Sequence, residues 1–229
     1  RSSQVRRPEQ HVVNEESTEP EPSEDPRYAG FPPGFFDRVD PSSDHNFYSE
    51  PRIVTHIDTD AIAAVGALYE ELKLGGRILD VMSSWVSHFV DTPDDLVALG
   101  MNAFELEENR QATSWVQHDL NLNPQLPFED ASFDSVVCCV SIDYLVRPLE
   151  VFDEIHRCLK NGGVFVNSFS NRCFPTKAIR GWGQTDDHGH VSIVGEYYRL
   201  TGPWRDVQAE LRTSATASGD PLFAVWGFK

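Results

Sequence analysis

The chain has 229 residues, of which 40% are hydrophobic and 11% aromatic, and its formal charge at pH 7 is −17. This length fits one domain with a tail, or at most two small domains, and the apolar content is enough for a sizeable core. The acidic balance argues against a nucleic-acid binder, which needs a basic surface, and against an anionic membrane as a partner.

The cysteines and the apolar runs restrict the class of protein further. The four cysteines show no CxxC pair and no metal-ligand spacing, so we expect reduced thiols, an intracellular protein and no metal site. No run of about 18 apolar residues exists, so we predict no membrane span.

Composition divides the chain into three parts. Residues 1–27 are rich in Pro, Glu and Ser and are predicted to be a disordered acidic tail. Residues 28–59 mix aromatic residues with prolines, which predicts an irregular lead-in that either packs on the domain or forms a lid over a site. Residues 60–229 are predicted to form the folded domain.

The periodicity of apolar residues predicts an α/β domain. Helices are predicted at about Asp60–Lys73, from Pro148 onward and over His190–Leu200. Strands are predicted at Arg77–Val81, Leu96–Met101, Ser114–His118, Ser135–Ile142, Val164–Phe169, Val207–Thr213 and Leu222–Phe228. Strands that alternate with helices indicate a parallel, doubly wound sheet, and the last two strands indicate an antiparallel hairpin that closes it.

The first strand runs into a turn that lacks glycine. Nucleotide-binding α/β domains begin in this way, but here the turn reads Met82-Ser83-Ser84-Trp85-Val86. Without GxGxxG the backbone has no glycines to approach a pyrophosphate, which argues against a nicotinamide or flavin dinucleotide.

Two consecutive segments carry a family resemblance: DLNLNPQLPFEDASFDSVVCCVSIDYL and PLEVFDEIHRCLKNGGVFVNSF. They resemble the type 11 branch of the class I S-adenosylmethionine-dependent methyltransferases, over roughly Ile53–Lys229. FSNRCFPTKAI and FYSEPRIVTHID resemble a subgroup found in photosynthetic organisms. The resemblance implies a three-layer Rossmann-like methyltransferase fold, whose mostly parallel seven-stranded sheet ends in the antiparallel hairpin.

The resemblance also implies a site for S-adenosyl-L-methionine. Asp80 keeps the acid of strand one, Asn102 stands where the family has an acid for the ribose hydroxyls, and Asp119 matches the acid that meets the adenine amino group. The full predicted cofactor set is Asp80, Met82, Ser83, Ser84, Trp85, Asn102, Asp119, Leu120 and Ser141.

Two interpretations of the turn stay open. Met82, Ser84 and Val86 replace the three family glycines, and serine does not readily adopt positive φ. In the first interpretation Ser83 and Ser84 offer hydroxyls to the cofactor carboxylate, and the chain methylates a small molecule by direct transfer. In the second, Met82 and Trp85 fill the pocket, and the chain is a non-catalytic scaffold or a protein-interaction module.

Six further residues are expected to face the methyl acceptor, although no catalytic residue is assigned, because alignment of nucleophile and methyl group can suffice. They are His56, His88, Asp143, Tyr144, Asn171 and Arg172. The histidines of DDHGH, residues 186–190, are interpreted as part of a surface loop. The resemblance implies a plastid location, or otherwise the cytoplasm.

Overall fold

The computed structural model describes residues 25–214 and 219–229. Most of the predicted tail, residues 1–24, therefore lies outside the described residues. The strands are β1 (Arg77–Val81), β2 (Asp95–Gly100), β3 (Ser114–Gln117), β4 (Phe133–Cys139), β5 (Leu159–Phe169), β6 (Arg205–Leu211) and β7 (Phe223–Phe228). The helices are α1 (Asp44–Tyr48), α2 (Thr59–Glu71), α3 (Ala103–Glu108), α4 (Pro148–Cys158), α5 (Arg180–Gly183) and α6 (Asp187–Leu200).

The strands form one seven-stranded sheet in the order β3-β2-β1-β4-β5-β7-β6. β1 to β5 pair in parallel, and β7 lies antiparallel between β5 and β6. The predicted fold class, including the C-terminal antiparallel hairpin, is confirmed.

Two apolar clusters, one on each face of the sheet, give the domain its three layers. Val137 and Val166 pack with the buried face of α2, where Val65 and Leu68 are fully buried. Val136, the neighbour of Val137, points to the other face and packs with α4 and α6. A strand covered on both faces must be apolar at consecutive positions, which explains the run SVVCCV in β4.

Three elements differ from their predicted bounds by three or more residues at one end. β4 ends at Cys139 rather than Ile142, because Val140 enters the left-handed region with φ 46° and the chain turns. β5 begins at Leu159, five residues before the prediction, and a register irregularity opposite Phe133 absorbs the extra residues. α6 begins at Asp187, because the side chain of Asp186 caps it by accepting a hydrogen bond from Gly189 N–H.

The earlier start of α6 corrects the interpretation of DDHGH as a surface loop. His190 lies in the first turns of α6, is 6% exposed and stacks on Trp182 with 3.9 Å between ring centroids. Its Nε2 lies 3.0 Å from the carbonyl oxygen of Trp182. Among the described residues no group of three or more His, Cys, Asp or Glu is arranged to hold a metal ion.

The lead-in packs on the domain along its length. Arg27 forms an ion pair with Asp153 on α4, and the rings of Phe31 and Phe36 lie against Tyr197 on α6. In the described ranges no helix is long and apolar enough to cross a membrane.

Candidate functional site

A cleft of about 1100 Å³, its open mouth included, lies at the carboxyl ends of β1, β2 and β4. Strand order reverses between β1 and β4, and open α/β sheets bind ligands at such a point. We call the lining residues at and after the strand ends the floor. The roof is the set of lining residues from the lead-in: Asp44, Tyr48, Arg52, Val54, Thr55 and His56.

All nine residues predicted to bind the cofactor line this cleft. Of the six predicted to face the acceptor, His56, His88 and Tyr144 also line it. The other three, Asp143, Asn171 and Arg172, do not.

Two features of the structure allow the turn after β1 to form without glycine. Met82 adopts φ 56°, whereas Ser84 and Val86, the other residues in place of glycines, do not have positive φ. The close approach of the turn is made to Gly100 at the end of β2, where an added Cβ would lie 2.1 Å from the Ser83 carbonyl oxygen. The hydrogen bond from Ser83 N–H to the Leu99 carbonyl, at 2.7 Å, fixes this approach. The glycine that the turn needs is therefore on the neighbouring strand.

Asp80 is tied to the serines of the same turn. Its Oδ2 accepts hydrogen bonds from Ser83 Oγ at 2.7 Å and Ser87 Oγ at 2.6 Å. The residue is 3% exposed, and burial raises the pKa of its carboxyl to about 6. The Ser83 hydroxyl proton, predicted to serve a cofactor carboxylate, is therefore already donated within the turn.

Asn102, which follows β2, uses its side chain to cap a helix and to bind the roof. Asn102 caps α3 through Oδ1, which accepts from Glu105 N–H at 3.1 Å, and its Nδ2 donates to the Tyr48 carbonyl at 2.8 Å and the Ser49 carbonyl at 3.2 Å. Trp85 Nε1 donates to the Val54 carbonyl at 3.0 Å. Two residues that depart from the family pattern are thus roof contacts.

Glu105 on α3, three residues after Asn102, links roof and floor. Its Oε1 accepts from the backbone N–H of Arg52 at 2.6 Å, and its Oε2 accepts from Ser84 Oγ at 2.6 Å. It is 8% exposed and lines the cleft. The Ser84 hydroxyl, like that of Ser83, is therefore engaged with a carboxylate.

Asp119 lies in the loop after β3 with one oxygen engaged. Oδ1 accepts from the N–H groups of Asn121 and Leu122 at 2.9 and 3.1 Å, and Oδ2 has no hydrogen bond in the described part of the chain. Burial raises the pKa of this carboxyl. The next residue, Leu120, is 4% exposed and supplies an apolar wall.

The loop after β4 brings Ser141 and Tyr144 to the floor. Ser141 Oγ donates to the Cys139 carbonyl at 3.0 Å. Tyr144 Oη accepts from Phe174 N–H at 2.8 Å, which fixes the loop after β5 against the cleft. Backbone strain at Val140, the β-branched residue with φ 46°, lies directly beside them.

Three of the predicted acceptor-facing residues have other surroundings. Asp143 is 2% exposed, its Oδ2 has no hydrogen bond among the described residues, and burial raises its pKa to about 8. Arg172, with a side chain 63% exposed, lies 3.4 Å from Asp220, and Asn171 beside it is exposed. The loop turns so that Phe174 lines the cleft instead.

Two histidines face the cleft in neutral form. Burial, together with nearby His56, lowers the pKa of His88 to about 4. Burial also lowers the pKa of His56, whose ring packs on Phe174 with 5.3 Å between centroids. A neutral imidazole has a free acceptor nitrogen, so either side chain can take up a proton.

A buried polar cluster anchors the roof. Asp44 is 5% exposed, and its Oδ1 lies 2.6 Å from Arg38 Nη1 and 3.3 Å from Lys177 Nζ. Its Oδ2 accepts from Asn121 Nδ2 at 2.8 Å. Lys177 is fully buried and also donates to the Ser42 carbonyl at 2.7 Å. No pattern in the sequence indicated this cluster, because its members come from the lead-in and from the loops after β3 and β5.

A segment of the chain matches a known protein family. Residues 90–167, from the end of the glycine-less turn to β5, match the family described as a methyltransferase domain. This segment of the chain is therefore similar to a methyltransferase domain. The predicted resemblance to the type 11 branch is confirmed, whereas the photosynthetic subgroup stays a prediction.

The chain is also similar to curated proteins and to solved structures. It is 26% identical over 105 residues to the biotin biosynthesis bifunctional protein BioHC of Teredinibacter turnerae, and 30% identical over 96 residues to that of Cellvibrio japonicus. These matches cover 46% and 42% of this chain but only 18% of each relative. A SAM-dependent methyltransferase of Thermotoga maritima shares the fold, with a TM-score of 0.52 at 16% identity over 74% of this chain and 87% of that one.

Proposed function

We propose that the chain is an S-adenosylmethionine-dependent methyltransferase that transfers a methyl group directly to a small-molecule acceptor. The observation that carries the proposal is the cleft at the strand-order reversal, with Asp80, Asp119 and Ser141 in its wall. The methyltransferase domain over residues 90–167 supports the same reaction class.

The polar groups of the floor fit this cofactor. Asp119 keeps Oδ2 available for an amino group, because its hydrogen bonds among the described residues are made by Oδ1. The Asn102 amide is engaged with the roof, so we assign the ribose hydroxyls to Glu105. Each Glu105 oxygen accepts one hydrogen bond here and retains a second lone pair.

When bound, S-adenosylmethionine supplies an electrophilic methyl group, and the residues of the chain hold the acceptor in line with it. His56 and His88 are neutral and line the cleft, so each offers a ring nitrogen that can accept a hydrogen bond from an acceptor hydroxyl or amine. Tyr144 and Phe174 form an apolar wall that excludes water from the acceptor.

Calorimetric titration with S-adenosylmethionine and S-adenosylhomocysteine tests the proposal. We expect micromolar binding by the wild-type chain and a loss of about tenfold in Asp119→Asn, because a charge-assisted hydrogen bond becomes a neutral one. Glu105→Gln should weaken binding by a similar factor. Glu107→Gln is the matched control, since it is exposed on the same helix and should leave affinity unchanged.

The alternative function, a non-catalytic scaffold that binds a protein partner, predicts a different titration. No heat and no thermal shift at millimolar ligand would overturn the enzyme proposal and favour the scaffold. Trp85→Ala then separates two causes. Binding that returns in this variant would mean that Trp85 and its contact with Val54 close the pocket, whereas continued absence would mean that the floor itself has lost the site.

A further inference from the structure

We infer that the roof binds the carboxylate of an anionic methyl acceptor through the guanidinium of Arg52, an inference that rests on the proposed function. Arg52 lines the cleft and belongs to the lead-in.

The guanidinium of Arg52 has no ion pair in the described part of the chain, although four carboxylates line the same cleft. Asp44 pairs with Arg38 and Lys177, and Asp80 is engaged with serine hydroxyls. Glu105 accepts from the backbone of Arg52, not from its side chain, and Asp119 accepts from backbone N–H groups. In a chain with a net charge of −17, a cleft-lining arginine without an acidic partner is notable.

The free edge of the Arg52 side chain matches a carboxylate. Nη1 donates to the Phe47 carbonyl at 2.8 Å, whereas Nε and Nη2 have no hydrogen bond among the described residues. These two nitrogens carry parallel N–H groups on one side of the planar guanidinium, the fork that binds both oxygens of a carboxylate.

An aromatic frame holds the guanidinium on the acceptor side of the cleft. Its carbon lies 4.2 Å from the ring centroid of Phe47 and 5.5 Å from that of Phe174. Phe174 belongs to the loop after β5, and its N–H is bound by Tyr144 from the loop after β4. Glu105, which binds Ser84 of the turn after β1, accepts a hydrogen bond from the backbone N–H of Arg52 and leaves its guanidinium unbound; the resemblance assigns that turn to the methionine part of the cofactor.

The same frame includes a proton acceptor. His56 packs on Phe174 and lies four residues after Arg52 on the roof. A methyl acceptor whose carboxylate binds Arg52 would therefore lie against Phe174 and Tyr144, beside the neutral imidazole of His56. This favours a small planar acid that carries a separate hydroxyl or amine as the methylated group.

Benzoate and its uncharged analogue benzamide are the probes for this site. With S-adenosylhomocysteine at saturation, we expect saturable benzoate binding by calorimetry and no comparable benzamide binding. Arg52→Met should weaken benzoate by about tenfold or more, and Arg52→Lys should weaken it less, because lysine keeps the charge but not the fork. Arg110→Met is the matched control, since Arg110 is exposed and lies outside the cleft.

Several results would overturn the inference. Wild-type chain that binds no benzoate, or binds benzoate and benzamide equally, has no carboxylate site. Equal benzoate affinity in wild type and Arg52→Met would exclude Arg52. If Arg52→Met weakens S-adenosylhomocysteine but not 5′-methylthioadenosine, which lacks the amino-acid end, then the guanidinium holds the cofactor carboxylate instead of the acceptor.

Failure of the proposed function gives a different pattern. A wild-type chain that binds no S-adenosylhomocysteine would refute that proposal, and the benzoate titration, repeated without it, would still show whether Arg52 binds a carboxylate.

Discussion

The floor and the roof of the cleft hold their buried charges in opposite ways. Asp80 in the floor, and Asp143 in the loop after β4 but outside the cleft lining, are buried with no cationic partner among the described residues, and burial raises both pKa values. Around the roof, Asp44 is buried between Arg38 and Lys177, and Asp40 has its pKa lowered to about 2 by hydrogen bonds from Ser42 and Lys177. The floor thus favours neutral carboxyls and the roof anchor favours ion pairs.

This difference explains how a glycine-less turn coexists with an open cleft. In the family, glycines leave room for the cofactor, whereas here Trp85 and Asn102 use their donors on the roof backbone. The roof is irregular and must be held by side chains. The departures from the family pattern therefore correspond to added contacts with the lead-in, and Gly100 on β2 allows the close approach of the Ser83 carbonyl.

The largest expected effect comes from breaking the roof anchor. Asp44→Asn leaves Lys177 and Arg38 buried without their shared carboxylate, so the free energy of unfolding should fall by about 3–5 kcal/mol in denaturant titration. Asp37→Asn is the control, since it breaks an ion pair with Arg180 whose side chains are half exposed, and it should cost less than about 1 kcal/mol. Equal losses in the two variants would mean that the buried pairs do not stabilise the roof.

The sequence predicted the floor much better than the roof. The strands could be located because apolar runs such as SVVCCV reflect burial on both faces, whereas Asp80, within β1, and Asp119, after β3, were placed by the family resemblance. Lys177 gave no comparable signal, since a fully buried lysine is identified by partners that are more than 130 residues away in the chain. The positive φ of Val140 was equally hidden, because a valine in an apolar run favours continued strand.

The dependence of the unfolding free energy on pH distinguishes the two regions. Burial raises the pKa of Asp143 from 3.8 to about 8, so between these values the folded chain binds more protons than the unfolded chain. Stability should therefore fall as pH rises across this interval, by at most about 1.4 kcal/mol per pH unit from this group. Asp143→Asn should flatten the dependence of the unfolding free energy on pH, measured by denaturant titration.

Asp80 gives this test an internal comparison. Its folded-state pKa is about 6, so Asp80→Asn should remove only the part of the slope below that pH. Asp91→Asn, at an exposed position outside the cleft, should leave the whole curve unchanged. A wild-type stability that rises between pH 6 and 8 in parallel with that of Asp143→Asn would contradict the neutral buried carboxyl.

The smallest effect concerns the backbone of the floor, and the two methionines of the chain provide the comparison. Met82 and Met101 both line the cleft, but Met82 has φ 56° and Met101 does not have positive φ. Glycine adopts the left-handed region without a Cβ penalty, so Met82→Gly should be more stable than Met82→Ala by about 1 kcal/mol.

At position 101 the order should reverse, with Ala more stable than Gly by roughly 0.5–1 kcal/mol, because glycine there only adds entropy to the unfolded chain. Both pairs remove the methionine side chain, so the lost packing cancels within each pair. Denaturant titration of the four variants measures whether the order of stability of Gly and Ala reverses between the two positions. If Ala exceeded Gly at both positions, Met82 would not be held in the left-handed region, and the turn would have no need of the glycine that it lacks.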